Sequence, residues 1–359
     1  MKEGQYLPHI SGEALPLFRS HLLHWYEINQ RELPWRGTKN PYLIWVSEII
    51  LQQTQVVQGW DYYLRFTEKY PDIPSLANAD EEELLLLWQG LGYYSRAHNM
   101  LQAARQMMQC HGGIFPKNEK EVSALKGIGP YTTAAIMSIA YDAPLAVVDG
   151  NVYRILSRLE ASSTPIDTPQ GQKVYRALAQ AYLDHEQPGK YNQAMMDLGA
   201  TICTPHNPKC TDCPIARYCI TYKQPLLAEL LPIKAKKTKV VDRYLDYFLL
   251  LQDDTFYVVQ RDRRSIWKGL YQLPLIESAK QYASEDELQE AIHGEWHIAE
   301  SRELKTHRLT HRLLHIRIHI CTPIDTPQPL PSPYIRIPIS SHSEYAFPKP
   351  LRHFLDKFF

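Results

Sequence analysis

The sequence lacks three features that would place it in a common class of protein. None of its stretches holds the roughly 20 consecutive apolar residues that a membrane-spanning helix needs. Residues 1–20 also lack the charged-then-apolar order of a signal peptide. Net charge is absent too, because 39 basic residues balance 39 acidic ones. We therefore expect a soluble, cytoplasmic protein, in which any affinity for nucleic acid depends on local clusters of charge.

Cysteine is scarce outside one short segment. Cys110 and Cys321 stand alone and predict buried thiols. The other four lie within 17 residues, separated by six, two and five residues: Cys203, Cys210, Cys213 and Cys219. In a reducing compartment this grouping favours a metal centre over disulfides. Four thiolates suit either zinc or an iron–sulfur cluster.

The 359 residues are enough for two domains, and the hydrophobic pattern changes along them. In the first part, apolar residues recur at helical spacings of three and four, as at Phe18, Leu22, Trp25 and Tyr26. From Tyr244 the pattern becomes that of strands, with isoleucines alternating with polar residues over 314–320. We expect a mainly helical part over 1–221, a basic linker over 222–240 and an α+β part over 241–359.

A glycine turn between two predicted helices is the first candidate site. Gly127 and Gly129 lie one residue apart, and Pro130 after them suits the first turn of a helix. Such a turn lets the backbone approach another molecule and directs free N–H groups and the positive end of the helix dipole outward, which suits a phosphate. A purely structural turn explains the same residues.

Polar residues interrupt apolar surroundings at three places. Glu48 lies in an apolar helix, where it is either a solvated surface residue or a buried acid with a raised pKa. Residues 52–55, QQTQ, are either a polar helix end or groups that reach base edges. Tyr93 and Tyr94 precede Arg96, which suits stacking on bases and binding phosphate, although adjacent tyrosines are more often packing residues.

Several stretches together resemble the MutY adenine DNA glycosylase family: Ser47–Val56, Gly90–Tyr94, Val148–Val152 and Asn192–Ala200. The resemblance is strong over residues 17–220 and weaker beyond them. It implies a helix-hairpin-helix DNA glycosylase fold, in which a six-helix barrel adjoins an iron–sulfur cluster domain, followed by an α+β Nudix-like domain. The cysteine spacing is similar to the [4Fe–4S] loop of this family and of endonuclease III, so the resemblance assigns that cluster to the four grouped cysteines.

The resemblance implies a monofunctional hydrolase that removes adenine paired with 8-oxoguanine, or with guanine, in double-stranded DNA. Breaking an N-glycosidic bond requires an acid near the base and a negative charge near the sugar. Glu48 matches the acid that protonates adenine N7, and Asp149 matches the ionised carboxylate at C1′. Tyr131 and Asn151 match residues that hydrogen-bond these groups. The adenine must leave the duplex to reach them.

Other residues match positions that contact DNA in this family. Those of the adenine pocket are Arg31, Trp35 and Leu51. Those that wedge into the helix and contact 8-oxoguanine are Gln53, Thr54, Leu91 and Tyr93. Those that contact the DNA backbone are Gly127 and Gly129. In the C-terminal part, Thr310 and His311 match two residues of a Phe-Ser-His loop, whose aromatic residue is replaced here by Leu309. The degree of preference for 8-oxoguanine therefore stays open.

The segment Trp267–Pro274 resembles the W-x-G-L-y-x-f-P segment of the Nudix-like domain. A glutamate-rich helix that would bind metal does not follow it, since residues 275–280 contain only Glu277. We expect this domain to recognise the damaged base and not to hydrolyse pyrophosphate.

Tyr131 separates the subfamilies, because endonuclease III-like lyases use a lysine at this position as an amine nucleophile. Lys126 lies earlier in the turn, where the family usually has proline. Two alternatives stay open: an endonuclease III-like glycosylase and lyase acting on oxidised pyrimidines, and a non-catalytic iron–sulfur protein that binds DNA. The resemblance also implies a nucleoid-associated monomer, with replication and repair proteins as further partners.

Overall fold

The computed structural model describes residues 8–235, 240–262, 265–281, 287–288, 296–325 and 329–359. Residues 236–239 of the predicted basic linker lie outside them. The described residues fall into two compact units. The first unit draws on Met1–Asn78 and Gln102–Lys237, and the second on Ala79–Leu101 and Thr238–Phe359. The domain boundaries at residues 221 and 241 remain a prediction.

Helices make up most of the chain before residue 231, as the periodicity predicted. They are α1 (Ala14–Asn29), α2 (Pro41–Leu51), α3 (Val56–Lys69), α4 (Ile73–Ala77), α5 (Glu81–Leu87), α6 (Ser95–His111), α7 (Glu119–Ala124), α8 (Pro130–Tyr141), α9 (Gly150–Leu159), α10 (Pro169–Tyr182), α11 (Pro188–Thr201) and α12 (Pro225–Leu230). Helix α5 and the start of α6 belong to the second unit. Among the described residues, no helix has the length and apolarity to cross a membrane.

Local chemistry fixes where the site-bearing helices begin. Helix α2 starts at Pro41, and the Asn40 side chain caps it by accepting a hydrogen bond from the Tyr42 N–H at 2.9 Å. Asp149 caps α9 in the same way, through the Val152 N–H at 2.7 Å. A core of buried apolar residues joins α1, α9, α10 and α11, and Phe18, Leu156, Tyr175 and Leu198 lie at its centre. This packing holds the start of α9 in place.

Among the residues that the structure describes, the second unit contains a mixed sheet of eight strands in addition to its helical segment. The strands are β1 (Val241–Gln252), β2 (Thr255–Gln260), β3 (Tyr271–Gln272), β4 (Leu275–Ser278), β5 (Trp296–Glu303), β6 (His307–Arg308), β7 (Arg312–Pro323) and β8 (Ile335–Pro338). The central order is β3-β2-β1-β7-β5, in which β1 and β7 are parallel and the other pairs antiparallel. The predicted helical part followed by an α+β part is therefore confirmed.

Apolar clusters cover both faces of this sheet. Leu245, Tyr247 and Leu249 of β1 join the isoleucines of β7 and the final helix α13 (Lys349–Phe358) on one face. Phe248 and Leu250 join Trp296 on the other. One polar alternate of β7 is enclosed as well, since His319 is 1% exposed. Both His319 and Arg317 hydrogen-bond to Asp246 Oδ1, at 3.1 and 2.7 Å.

Candidate active site

A cavity of about 650 Å³ in the first unit is lined by nine of the residues predicted for catalysis and binding. They are Arg31, Trp35, Glu48, Leu51, Gln53, Thr54, Tyr131, Asp149 and Asn151. Helices α2, α8, α9 and α11 supply its walls together with the loops before α2 and α3. Residues far apart in sequence thus meet around one space, whose size is typical of a small-molecule site.

Glu48 is a buried acid and not a surface residue. It lies in the middle of α2, is 9% exposed and has buried Ile44, Ile49 and Ile50 as neighbours on its helix. Its Oε2 accepts a hydrogen bond of 2.6 Å from the Tyr131 hydroxyl. Burial raises the pKa of Glu48 above its ordinary value of 4.5, against the effects of the Tyr131 bond and of the Arg36 charge. This environment favours a protonated carboxyl group.

Asp149 has a different set of contacts. Its Oδ1 accepts from the Val152 N–H and its Oδ2 accepts from the Asn151 amide at 2.8 Å. Burial raises the pKa of Asp149, whereas these bonds and the charge of Arg154 lower it. Because Asp149 receives more hydrogen bonds than Glu48, the ionised form is better supported at Asp149.

Arg154 orients the Asn151 amide and was not predicted as a site residue. Its Nη2 donates to Asn151 Oδ1 at 2.8 Å, so the Asn151 amide nitrogen faces Asp149. The same guanidinium donates to the carbonyl oxygens of Gly199 and Cys203, at 2.8 and 2.7 Å. A continuous set of hydrogen bonds therefore runs from Asp149 to the backbone of the cysteine segment.

A buried ion-pair network lies under another wall of the cavity. Asp197 is fully buried and accepts from Arg31 Nε at 2.9 Å and from Arg36 Nη2 at 2.9 Å. Arg36 also donates to Gln193 Oε1 and to the Tyr26 hydroxyl. Breaking such a pair from one side leaves an uncompensated buried charge. The network fixes the loop that carries Arg31 and Arg36 against α11.

Sequence reasoning missed the roles of Arg36, Gln193 and Met196, which line the cavity. A signal was present on α11, because Gln193, Met196 and Ala200 recur at spacings of three and four and share one face. The stretch containing them was matched to the family without assigning that face a role. Arg36 follows Trp35 directly, but its partner Asp197 is distant in sequence.

Aromatic packing and a strained turn shape the mouth of the cavity. Trp35 is 8% exposed and packs edge-on against Trp60 and Tyr63, with ring centroids 6.2 and 5.3 Å away. Gln53 follows the end of α2 with φ +56°, a left-handed conformation that is uncommon outside glycine. Residues 52–55 therefore form a turn that leads into α3.

The two glycines of the hairpin have different local constraints. Gly127 has φ +77°, which only glycine adopts without strain. Gly129 has φ −95° and precedes α8, and a Cβ built on it would meet no atom within 4 Å. Leu125 and Ile128 are buried and anchor the turn. The chain itself thus needs glycine at 127 but not at 129.

The remaining predicted contacts lie in the second unit. Leu91 is buried, whereas Tyr93 is 47% exposed and has φ +48°. The Tyr93 hydroxyl lies 3.3 Å from Thr310 Oγ1. Thr310 and His311 are exposed, in the turn between β6 and β7. The structure therefore brings Tyr93 and Thr310 together, while Tyr94 is buried.

The four grouped cysteines line one small cavity of the first unit. Burial and the neighbouring cysteines raise the pKa of the Cys213 thiol to about 12. Arg158 Nη1 lies 3.4 Å from Cys203 Sγ and donates to the Thr204 carbonyl oxygen at 2.7 Å. Among the described residues, no three His, Cys, Asp or Glu side chains are placed to hold a single metal ion. The four cysteine sulfurs are soft ligands, and the positively charged Arg158 guanidinium lies beside them. This combination is suited to a negatively charged metal cluster.

Comparisons with known proteins first identify the general class of protein to which the chain is similar. A family described as HhH-GPD superfamily base excision DNA repair protein matches residues 46–182, and a NUDIX domain matches residues 246–357. The structure of a thermostable thymine-DNA glycosylase is similar at 30% identity and a TM-score of 0.54, covering 58% of this chain and 96% of that one. An endonuclease III–DNA complex, at 21% identity and a TM-score of 0.50, covering 59% and 98%, shares the fold.

Curated relatives show which family within this class the chain belongs to. Adenine DNA glycosylase of Mus musculus is 43% identical over 217 residues, which are 58% of this chain and 42% of that protein. Adenine DNA glycosylase of Buchnera aphidicola subsp. Baizongia pistaciae (strain Bp) is 36% identical over 262 residues, 72% of this chain and 73% of that protein. The chain belongs to the adenine DNA glycosylase family. It spans less than half the length of the mouse relative.

Proposed function

We propose that the protein removes adenine paired with 8-oxoguanine, or with guanine, by acid-catalysed hydrolysis of the N-glycosidic bond. The observation that carries the proposal is the pairing of a buried, Tyr131-bonded Glu48 with a separately hydrogen-bonded Asp149 in one cavity. Two carboxyl groups in unlike environments are the arrangement expected of an acid and an anion that act together.

Glu48 is the acid in this proposal. The pKa of Tyr131 is raised well above its ordinary value by burial and by the nearby carboxylates, so its hydroxyl stays protonated and donates to Glu48 Oε2. Oε1 is left to carry the proton and to give it to N7 of an adenine turned out of the duplex. Protonated adenine takes the electron pair of the C1′–N9 bond and leaves, and the sugar becomes an oxocarbenium-like cation.

Asp149 stabilises that cation through its negative charge, or traps it covalently. Asn151, held by Arg154, fixes Oδ2 of Asp149, and the start of α9 fixes Oδ1. Water then adds to C1′ and returns a proton to the ionised Glu48, which restores the starting state. The products are free adenine and an abasic site.

We further propose that the protein is monofunctional. The described residues lining the cavity include no lysine, and Tyr131 hydrogen-bonds to Glu48. A lyase needs an amine that forms a Schiff base with the abasic sugar. We expect borohydride to trap no more protein on DNA than it does with a Tyr131→Phe variant. Trapping as strong as that of an endonuclease III-type enzyme, with release of oxidised pyrimidines, would favour the lyase.

The four grouped cysteines hold a [4Fe–4S] cluster in this proposal. Each thiolate of such a cluster binds a different iron, so no single ion has to collect three of them. The group would supply structural order to the loop, whose Lys209 is exposed and free to approach a phosphate. Arg154 and Arg158 both donate to backbone oxygens of this loop.

Replacing Cys210 by serine should remove the cluster. We expect loss of iron, of acid-labile sulfide and of visible absorbance, and a fall of several degrees in melting temperature, since metal binding is linked to folding. Cys110→Ser is the matched control, because Cys110 stands apart from the group and is exposed, so the prediction of a buried thiol was wrong for this residue. Iron and sulfide contents equal to the wild type in Cys210→Ser would contradict the assignment.

Replacing Gly129 by alanine should weaken DNA binding without unfolding the hairpin. An added Cβ meets nothing in the chain but would stand between the start of α8 and a phosphate. We expect affinity for duplex DNA to fall by roughly 5-fold, about one hydrogen bond. Gly127→Ala should instead lower stability by about 1–2 kcal/mol because of its positive φ. If Gly129→Ala bound duplex DNA as tightly as wild type, the hairpin would not be part of the DNA interface.

Replacing Thr310 by alanine should lower the preference for 8-oxoguanine over guanine opposite adenine. We propose that the exposed Thr310 hydroxyl, beside Tyr93, hydrogen-bonds to the damaged base. Losing one such bond should reduce the ratio of the two adenine-release rates roughly 2- to 10-fold. Thr310→Ser keeps the hydroxyl and should keep the ratio. An equal loss of rate on both duplexes would place Thr310 outside recognition.

A further inference from the structure

His98 is a buried histidine that the proposed chemistry does not use. It lies in the first turn of α6, five residues after Tyr93, and is 5% exposed. Its Nδ1 is 2.5 Å from Glu81 Oε1, and its Nε2 is 3.2 Å from the Lys268 carbonyl oxygen. Both ring nitrogens thus lie close to an oxygen atom, one of a carboxylate and one of a backbone carbonyl.

The turn that His98 contacts sits directly against its ring. Gly269 has φ +77°, and a Cβ built on it would lie 3.1 Å from His98 Cε1 and 3.2 Å from Nε2. Just beyond the turn, the Tyr271 hydroxyl donates to Glu82 Oε1 at 2.9 Å. Both contacts join the segment 268–271 to helices α5 and α6. A side chain at position 269 would push them apart.

The same turn is connected through side-chain contacts to the segment that precedes the candidate recognition loop, residues 309–311. Trp267 precedes Lys268, and its ring lies 5.8 Å from the ring of His307 in β6. The loop 309–311 follows β6 immediately. Arg261 lies over the Trp267 ring and donates to the Ile266 carbonyl oxygen at 2.8 Å, which holds Trp267 in place. The loop is therefore supported in two ways: directly by Tyr93, which contacts Thr310, and indirectly by His98, which contacts the turn next to Trp267.

We infer that His98 is a positioning residue for discrimination of the base opposite adenine, acting through the 267–269 turn on the loop 309–311. The inference rests on the proposed function. Tyr93 lies two residues before α6 and His98 lies in the first turn of that helix, so one short segment of the chain carries both contacts. With His98 in place, Thr310 stays within reach of Tyr93. Without it, the loop loses one of its two supports while the catalytic carboxyl groups keep theirs.

Single-turnover rates of adenine release on 8-oxoguanine:adenine and guanine:adenine duplexes test this inference. We expect His98→Ala to lower the ratio of the two rates roughly 3- to 10-fold, with the guanine:adenine rate within about 2-fold of wild type. His98→Gln, which keeps volume and one donor, should lower the ratio less. Gly269→Ala, which disturbs the contact from the other side, should lower it too. His111→Ala, in the last turn of α6, is the matched control.

A double-mutant cycle separates positioning from general destabilisation. If His98 acts through the loop, His98→Ala should lower the ratio no further once Thr310→Ala is present. Fully additive effects, or an unchanged ratio in folded His98→Gln and Gly269→Ala, would overturn the inference. A wild-type protein that releases no adenine would instead overturn the proposed function, so the two failures are distinguishable.

Discussion

Glu48→Gln is expected to slow adenine release from an 8-oxoguanine:adenine duplex severely. Glutamine fills the same buried space and still accepts a hydrogen bond from Tyr131, but its amide cannot protonate N7. General acid catalysis contributes typically 10²–10⁴-fold, so we expect a fall of about 10³-fold in the single-turnover rate. Glu68→Gln, an exposed change on α3, is the control and should keep the wild-type rate. Release by Glu48→Gln within tenfold of wild type would remove Glu48 as the acid.

The pH dependence of the same reaction follows from the raised pKa of Glu48. Because the acid must be protonated, the rate should fall as pH rises through the folded pKa, which lies above 4.5. The contribution of Glu48 to the stability of the fold changes with pH in the same direction as the rate. The folded state binds this proton more tightly than the unfolded state, so the contribution is full below 4.5 and is lost as pH rises through the folded pKa. At pH values above the folded pKa of Glu48, the Glu48→Gln variant should therefore melt at a higher temperature than wild type.

Asp149→Asn is expected to reduce adenine release about as strongly, for a different reason. Asparagine caps a helix as well as aspartate does, so α9 should still begin at Gly150 and the fold should be kept. What is lost is the negative charge near C1′ and the hydrogen bond from the Asn151 amide, because the asparagine NH2 group cannot accept it. Removing one preorganised electrostatic partner from a transition state costs about 10²–10³-fold.

The measurement is the single-turnover rate, with melting temperature and duplex affinity as controls. Both controls should stay near wild type in Asp149→Asn. A variant that keeps its rate within tenfold would show that the cation forms without help from this carboxylate. A variant that loses DNA affinity in parallel would mean that Asp149 acts on binding and not on the bond-breaking step.

Local sequence patterns predicted the elements that carry the site. The apolar residues around Glu48 predicted α2, and the glycines with Pro130 predicted the turn before α8. The family motifs then predicted that Glu48, Tyr131 and Asp149 would meet, and the cavity brings them together. Motifs succeed here because each is short and its residues lie on one helix end or one helix face.

Contacts between distant residues could not be predicted in this way. Nothing in the local pattern of Arg36 pointed to Asp197, which is 161 positions later. The alternation of β7 predicted a strand but not the burial of His319, because the face it occupies is covered by residues of other segments. Gln53 and Tyr93 adopt left-handed backbone conformations that their residue types do not favour. Tertiary packing decides such features.

The grouping of residues 79–101 with the C-terminal strands was also not predicted. Their apolar periodicity is helical, like that of the helices before and after them. What places them in the second unit is a set of long-range contacts, among them His98 with Lys268 and Tyr93 with Thr310. These contacts join residues that lie far apart in sequence, by 170 positions for His98 and Lys268 and by 217 for Tyr93 and Thr310.

The central claim is that this protein hydrolyses the N-glycosidic bond of adenine opposite 8-oxoguanine. It is tested most directly by incubating wild-type protein, in excess, with such a duplex and measuring free adenine by chromatography. The account predicts release of adenine that leaves an unbroken abasic strand, with no release from the same duplex carrying cytosine opposite 8-oxoguanine. Absence of free adenine from protein that is folded, carries its iron and binds the duplex would contradict the account.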